Sequence, residues 1–402
     1  MKVIQINSEC GRGSTGKIAV AISELLDSKQ IENYIFYSGN HKCSFKNAIQ
    51  INGRINIRFH QILSWLFGNQ GLHSSLSTKR MIRKIKRINP DIIQLHNIHG
   101  YYLDFRILFK FLANFSGKVY WTLHDCWSFT GHCTHFAYSK CNKWMVCCDK
   151  CPQKKEYPYS LIFDRSKYLF KLKKHYFSSV KKMELISPSN WLASLLKESF
   201  LRFKTVHVIN NGVDLNVFYP RNTKNILNKY PKLNKKFVIL GVSSVWHRKK
   251  GLDTFISLSK YLSEDYQIVL VGGDDSLKAN LPNNIIHIVR TLNQDELAEL
   301  YSIADVFLNP TLEDTFPTVN MESISCGTPV ITFPSCGSPE IVKNGCGTIL
   351  KDYSISSLLN VIYKYKETNY KKKCACLLHR NTFDKNISFN KYVDLYLSNL
   401  KQ

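Results

Sequence analysis

The chain has no run of 18 apolar residues, about the least a helix needs to cross a bilayer core, so no transmembrane helix is expected. Its opening residues, MKVIQIN, lack the pattern of a secretory signal and read as a first β-strand. There is no heptad repeat, no low-complexity tail and no recognisable nucleic-acid-binding module. Acidic residues are scarce, with 30 Asp/Glu against 55 Lys/Arg and a net charge of +25. What remains is an ordinary globular composition, 44% apolar, over 402 residues, enough for two domains. With no export signal and 13 cysteines, an odd number, the expected compartment is the reducing cytoplasm.

The positive charge is uneven. Residues 1–180 hold 27 Lys/Arg against 10 Asp/Glu, a net +17; residues 181–402 hold 28 against 20, a net +8. It peaks at Lys79, Arg80, Arg83, Lys84, Lys86 and Arg87, six cations in nine residues, interleaved with Met81, Ile82, Ile85 and Ile88. That spacing describes a basic amphipathic helix. Three readings stay open: a solvated face, an anionic membrane surface, or nucleic acid. The segment from Phe105 to Phe115 is the next candidate anchor.

Short apolar runs alternate with helical stretches along the whole chain. Strands are expected at residues 2–6, Ile31–Tyr37, Ile92–Leu95, Val119–Leu123, Glu184–Ile186 and Val206–Ile209. A second series begins at Phe237–Val242 and runs through Ile268–Val271 and Ile285–Ile288. This alternation predicts two doubly wound parallel sheets. The last helix is expected at about Phe389–Leu400.

The richest stretch is Ala304–Ile341. An apolar run, Val306–Leu308, ends at Asn309-Pro310-Thr311. Pro317 then opens a helix carrying Glu322, closed by Cys326-Gly327 before the β-rich Pro329–Phe333. A helix N-terminus in that position can bind phosphate, and a carboxylate one turn and a half inside can accept from two neighbouring hydroxyls, as on a ribose. The stretch resembles the donor-site signature of the family 4 retaining glycosyltransferases: Glu-x7-Glu, a helix ending near Gly-Thr-Pro-Val, then Gly-Gly-x-x-Glu. Asp314 and Glu322 have the x7 spacing, so the first acid is Asp, with Glu313 one residue out of register. Cys336-Gly337 stands where the family has Gly-Gly, and Glu340 matches the last acid.

The resemblance implies the GT-B fold: two Rossmann-like domains facing across a cleft, with the last helix crossing back to the first. The domains would be 1–209 on the acceptor side, 210–382 binding the nucleotide-sugar, and 383–402 the returning helix, with Asn210–Asp214 as the hinge. It further implies a hexosyltransferase that needs no metal for catalysis. Gly11–Gly16 then resembles the family's first loop, under the donor diphosphate, with Gly13 and Gly16 allowing close approach. A Walker A reading of the same loop fails at Ile18, where Ser or Thr would bind magnesium. In Gly241–Gly251, Lys250 fits the diphosphate-binding Lys; the usual Arg is missing, leaving Arg248 or Lys249 as the second cation. His124, at the end of a strand, matches a His beside the donor sugar. The catalytic positions implied are His124, Asp314 and Lys250, and the donor contacts Gly13, Gly16, Arg248, Lys250, Phe316, Thr318, Glu322 and Glu340.

Six cysteines fall between Cys126 and Cys151. Cys148-x2-Cys151 with Cys133 and Cys141 offers four thiolates for a structural zinc; separately packed thiols and disulfides are the alternatives. The HDCW, GHC and CP segments at 124–127, 131–133 and 151–152 resemble a subset of bacterial surface-polysaccharide glycosyltransferases of the colanic acid and O-antigen type. The partners so implied are a nucleotide-sugar donor, a lipid-linked saccharide acceptor and the anionic inner face of the plasma membrane, with no nucleic acid. Other classes remain: a binding protein for nucleic acid or anionic polymers, or a GT-B-like epimerase or phosphorylase.

Overall fold

A computed structural model describes residues 1–39 and 41–398. The chain forms two α/β units. The first is Met1–Asn210 together with the segment from Ser388, and the second is Asn211–Ile387.

The first unit contains β1 Lys2–Asn7, β2 Glu32–Tyr37, β3 Ala48–Gln50, β4 Ile92–Leu95, β5 Lys118–Thr122, β6 Met183–Ser187 and β7 Val206–Val208. They form one parallel sheet in the order β3-β2-β1-β4-β5-β6-β7. The second unit contains β8 Phe237–Val242, β9 Tyr266–Val271, β10 Ile285–Ile288, β11 Val306–Asn309, β12 Val330–Thr332 and β13 Gly347–Ile349, in the order β10-β9-β8-β11-β12-β13. This sheet too is parallel. Each sheet reverses its winding once, between β1 and β4 and between β8 and β11. Loops leaving the C-terminal ends of strands at such a point are where open α/β sheets place ligands. The Gly-rich loop, the loop after β4, the Arg248–Lys250 turn and the loop before Glu322 all leave from these four strands.

Four helices of the first unit matter below: α1 Gly13–Ser28, α2 Arg54–Phe67, α3 Ser75–Ile88 and α4 Phe105–Ala113. α1 starts four residues earlier than the Lys17 start that its sequence suggests, because Gly13 and Ser14 already turn. The last helix, Lys385–Ser398, packs Phe389, Tyr392, Val393 and Tyr396 against Val3, Ile18, Ile22 and Tyr120 of the first unit. Its expected end at Leu400 lies outside the described residues. Three bonds fix it there: Thr122 to the Tyr392 hydroxyl at 3.2 Å and Tyr396 to Gln94 at 2.9 Å, both buried, and Tyr120 to the Leu395 carbonyl at 3.2 Å, partly buried.

A disulfide joins Cys10 to Cys43, tying the Gly-rich loop to the segment after β2. The sequence reading of a reducing compartment did not anticipate this bond, since 33 residues separate the two thiols.

Candidate active site

In the second unit, two loops pair through consecutive charges. Lys250 Nζ donates to Asp314 Oδ2 at 2.7 Å, and Lys249 Nζ stands 3.3 Å from Glu313 Oε2. The backbone joins them as well, with Leu312 N donating to the Lys249 carbonyl at 2.8 Å. Gly251 closes the Arg248–Lys250 turn at φ +79°; a Cβ there would stand 2.4 Å from the Pro310 ring. The pairs differ in exposure. The Lys249 and Glu313 side chains are 16% and 4% exposed, and those of Lys250 and Asp314 are 33% and 24%. The inner pair therefore holds the loops together and the outer pair is open to solvent. Of the two alternatives for a second cation, Lys249 is committed to Glu313, whereas Arg248 is largely exposed beside Asp253.

The helix after this loop is Thr318–Ser325. Pro317, expected as its first residue, is instead its N-cap, because its ψ of 114° is extended. Pro317 offers no capping side chain to the first turn. The expected site residues Phe316 and Thr318 bracket this end, Phe316 buried and Thr318 half-buried. Glu322 accepts a hydrogen bond from the buried Tyr301 hydroxyl at 2.9 Å, which orients its carboxylate. Glu340 lies in the 3₁₀ turn Ser338–Ile341, where Cys336 just before it has φ +51°. That left-handed conformation suits glycine, which accounts physically for the family's Gly-Gly and makes the cysteine a strained departure.

Sequence reasoning missed the residues that lock this geometry. Asn309 Nδ2 donates to Asn320 Oδ1 at 2.7 Å, Asn320 Nδ2 to Ser338 Oγ at 3.0 Å, and Ser338 pairs with Thr332 at 2.7 Å. All four are buried. This network fastens the ends of β11 and β12 to the helix and to the Glu340 turn. Its only sequence signal is Asn and Thr at the ends of otherwise apolar strands.

In the first unit, His124 follows β5 and stacks on His96, which follows β4, with ring centroids 5.4 Å apart. His96 Nδ1 lies 3.1 Å from His124 Nε2, and His96 Nε2 lies 2.8 Å from Gln5 Oε1 of β1. Beside them, His99 bridges Asp125 at 2.7 Å and the Tyr157 hydroxyl at 3.0 Å. A small cavity is lined by His96, His99, His124, Asp125 and Ser128. His96 and His99 were not foreseen, although the HNIHG segment directly after β4 carries the signal. Burial pushes His124 down to about 4 and His96 well below its usual range. Burial alone would raise Asp125; His99 outweighs it and holds the carboxyl at about 2. Within the Gly-rich loop, Gly13 has φ +61° and open space where a Cβ would stand, so a ligand can approach the backbone closely. Gly16 is buried instead, and its carbonyl accepts from Gly11 N at 3.0 Å.

These histidines give a testable pH response. His60, His124 and His132 are lowered by burial to about 3, 4 and 4, against about 6.5 when unfolded. Their folded pKa values are depressed, so below pH 6.5 the unfolded chain binds more protons. Stability is full above that pH and is lost as pH falls towards about 4. At pH 5 each ring should cost about 1–2 kcal/mol. Melting temperature measured from pH 7.5 to 5 should fall throughout the lower half of the range; a flat profile rejects the buried-neutral assignment.

The four proposed zinc ligands, Cys133, Cys141, Cys148 and Cys151, line one cavity with His132 and Trp144. The Cys133 and Cys151 thiols are within hydrogen-bonding reach, and Gly131 N donates to Cys148 Sγ at 3.2 Å. Among the described residues, though, no group of three or more His, Cys, Asp or Glu is gathered closely enough to hold a metal ion. The loop has another anchor that the sequence did not reveal. The fully buried Lys173 donates to the carbonyls of Trp127 at 2.7 Å and Thr130 at 3.0 Å and lies 3.5 Å over the Trp127 ring; burial lowers it to about 7.

α3 carries its six cations outward and buries Met81 and Ile85. Its apolar residues thus belong largely to the core, leaving charge as its main offering. The alternative anchor is corrected: Phe105, Leu108, Phe109 and Leu112 of α4 are all in the core. Among the described residues no helix is long and apolar enough to cross a membrane.

Two parallel-sheet Rossmann-like units, a helix returning to the first, and a Lys–Asp pair beside a Glu-bearing helix define a glycosyltransferase of the GT-B class. The chain belongs to Glycosyltransferase Family 4, whose model matches residues 16–217, and the model "Glycosyl transferases group 1" matches residues 222–377. It is 22% identical over 380 residues to the putative colanic acid biosynthesis glycosyl transferase WcaC of Escherichia coli K12, covering 90% of each chain. Among solved structures it resembles sucrose-phosphate synthase from Thermosynechococcus elongatus, with TM-score 0.69 and 15% identity over 100% of this chain and 99% of that one. It also resembles Anabaena Alr3699/HepE in complex with UDP, with TM-score 0.67 and 13% identity over 99% and 100%.

Proposed function

We propose that the protein is a retaining, metal-independent hexosyltransferase that passes a sugar from a nucleotide-sugar to a lipid-linked saccharide in bacterial surface polysaccharide synthesis. The observation that carries this reading is the outward Lys250–Asp314 pair beside the Glu322 helix. In the reaction, the bond from the sugar's anomeric carbon to the leaving diphosphate breaks. A new bond to the acceptor oxygen forms on the same face, and the acceptor's proton passes to a leaving phosphate oxygen. Lys250, with Arg248 as the second cation, meets the charge that grows on the diphosphate. Asp314 orients Lys250, Glu322 accepts from the ribose hydroxyls, and Thr318 with the N–H groups of its helix turn faces a phosphate. Gly13 admits a close-lying phosphate or sugar, and His124, neutral at pH 7, hydrogen-bonds to a sugar hydroxyl. Phe316 and Glu340 complete the donor contacts, and Gly16 packs the Gly-rich loop.

The pathway assignment draws on the likeness to WcaC, whose name places that protein in colanic acid biosynthesis. The basic first unit supports a cytoplasmic protein held at the anionic inner face of the plasma membrane, where each cation near the surface adds about 1 kcal/mol. Nucleic acid is not a proposed partner; binding to it with a steep salt slope would reverse that assignment. The deciding experiment is a thermal-shift series with UDP- and GDP-sugars. A donor at 100 times its Kd stabilises its site by about 2.7 kcal/mol, a shift of roughly 5–10 °C for a domain of this size. No shift with either nucleotide class sinks the reading.

A structural zinc on Cys133, Cys141, Cys148 and Cys151 is part of this proposal. It requires the four thiols, already on one cavity wall, to close by side-chain rotation. Elemental analysis of protein purified without chelator should find about one zinc per chain. A stable, metal-free protein with all four thiols titratable rejects it.

A further inference from the structure

α2 is amphipathic and faces the opposite way from its composition. Ile55, Phe59, Ile62 and Leu66 recur at helical spacing and form one stripe. That stripe points to solvent, with exposures of 84%, 64%, 52% and 37%. Its two fully buried residues are polar, His60 and Ser64, with Ile57, Leu63 and Trp65 half-buried beside them. His60 Nε2 accepts from Gly71 N at 3.3 Å, and its Nδ1 lies 2.9 Å from Ser74 Oγ. The inward face is thus fixed by specific bonds to the connector between α2 and α3, and the apolar stripe is left outside.

The stripe does not end with the helix. Phe67 stacks on Phe163, and Leu161 N donates to the Trp65 carbonyl at 2.8 Å. This holds residues 159–163 against the end of α2, with Leu161, Ile162 and Phe163 themselves about half exposed. Along α2 and α3 the charge is of one sign, while the exposed Glu156 and Asp164 flank residues 159–163. Residues 51–90 contain eight Lys/Arg and no Asp/Glu. Arg54 and Arg58 lie exposed on α2 beside the stripe, and the cations of α3 follow after a seven-residue connector. Apolar side chains beside a large excess of cations match an anionic bilayer interface. A second copy of this chain, equally basic at +25, is a poor partner by charge.

We propose that α2 and residues 159–163 form a wedge that inserts its apolar side chains at the boundary between headgroups and acyl chains of an anionic lipid bilayer. Arg54, Arg58 and the α3 cations then meet lipid phosphates. The wedge deepens the membrane contact proposed above and rests on that reading for the sign of the lipid charge. It adds an apolar contribution that salt does not screen.

The test uses the full chain and vesicles of phosphatidylcholine, with and without phosphatidylglycerol. A Phe59→Trp reporter should shift its emission to the blue on the mixed vesicles and be quenched by brominated acyl chains. Phe59→Ser with Ile62→Ser, both at exposed positions, should leave the melting temperature unchanged. It should lower vesicle partitioning at high salt by about tenfold or more. An unshifted, unquenched reporter overturns the proposal, as does undiminished binding of the double variant. So does a concentration-dependent dimer that this variant abolishes, which would give the stripe to a second copy. Sugar transfer to a soluble acceptor is measured in parallel. Insertion without transfer would sink the glycosyl-transfer reading and leave the wedge standing; transfer without insertion would do the reverse.

Discussion

Replacing Lys250 with alanine should lower kcat by about 100- to 1,000-fold, the usual cost of removing one preorganised charge from a transition state. The KM for the nucleotide-sugar should change far less. The diphosphate is already anionic when bound, but its bridging oxygen gains charge only as the glycosidic bond breaks, so a cation beside it favours the transition state over the ground state. The pairing at 2.7 Å with Asp314 sharpens the expectation. Asp314→Asn leaves the cation in place but loosens its position, and should cost less than Lys250→Ala. In the double variant the two effects should be less than additive, because both act through one ammonium. Steady-state kinetics with a saturating acceptor decides the matter. Full turnover by Lys250→Ala would transfer the role to Arg248.

Glu322→Gln should weaken nucleotide binding by about 1.5–3 kcal/mol, the range for hydrogen bonds to a charged group, or roughly 10- to 150-fold in Kd. The amide keeps the shape and can still accept from the Tyr301 hydroxyl, so the helix should stay folded and the melting temperature unchanged. The wild type should prefer a ribonucleotide over its 2′-deoxy form, and the substitution should largely erase that preference. Calorimetry with both nucleotides separates this from general damage to the site. Unchanged affinity would remove Glu322 from the ribose.

The central strands were readable because a strand covered on both faces must be largely apolar. Ile92–Leu95 and Phe237–Val242 have the same bounds in sequence and structure. Ala48–Gln50 and Gly347–Ile349 escaped for the converse reason: they are three-residue edge strands, half exposed, with no apolar run to mark them. The Asp314–Glu340 stretch was readable because its parts are contiguous. The pairing of Lys249 with Glu313 and of Lys250 with Asp314 spans 64 residues each, and no local pattern shows which acid takes which lysine. For α2 the spacing alone reveals a stripe; that the stripe faces outward depends on where His60 finds its partners, eleven and fourteen residues further on.

The return of Lys385–Ser398 to the first unit bears on how the chain is made. Tyr392 and Tyr396 complete a core begun by Val3, Ile18 and Ile22 at the other end of the sequence. During synthesis that face of the sheet stays bare while Asn211–Ile387 is translated, roughly 9–35 s at 5–20 residues per second. The second unit, whose residues are contiguous, can close before the first one does. The half of the protein that leaves the ribosome first is therefore the last to be finished, and a stalled or prematurely terminated chain would expose its N-terminal sheet to aggregation however intact its second unit.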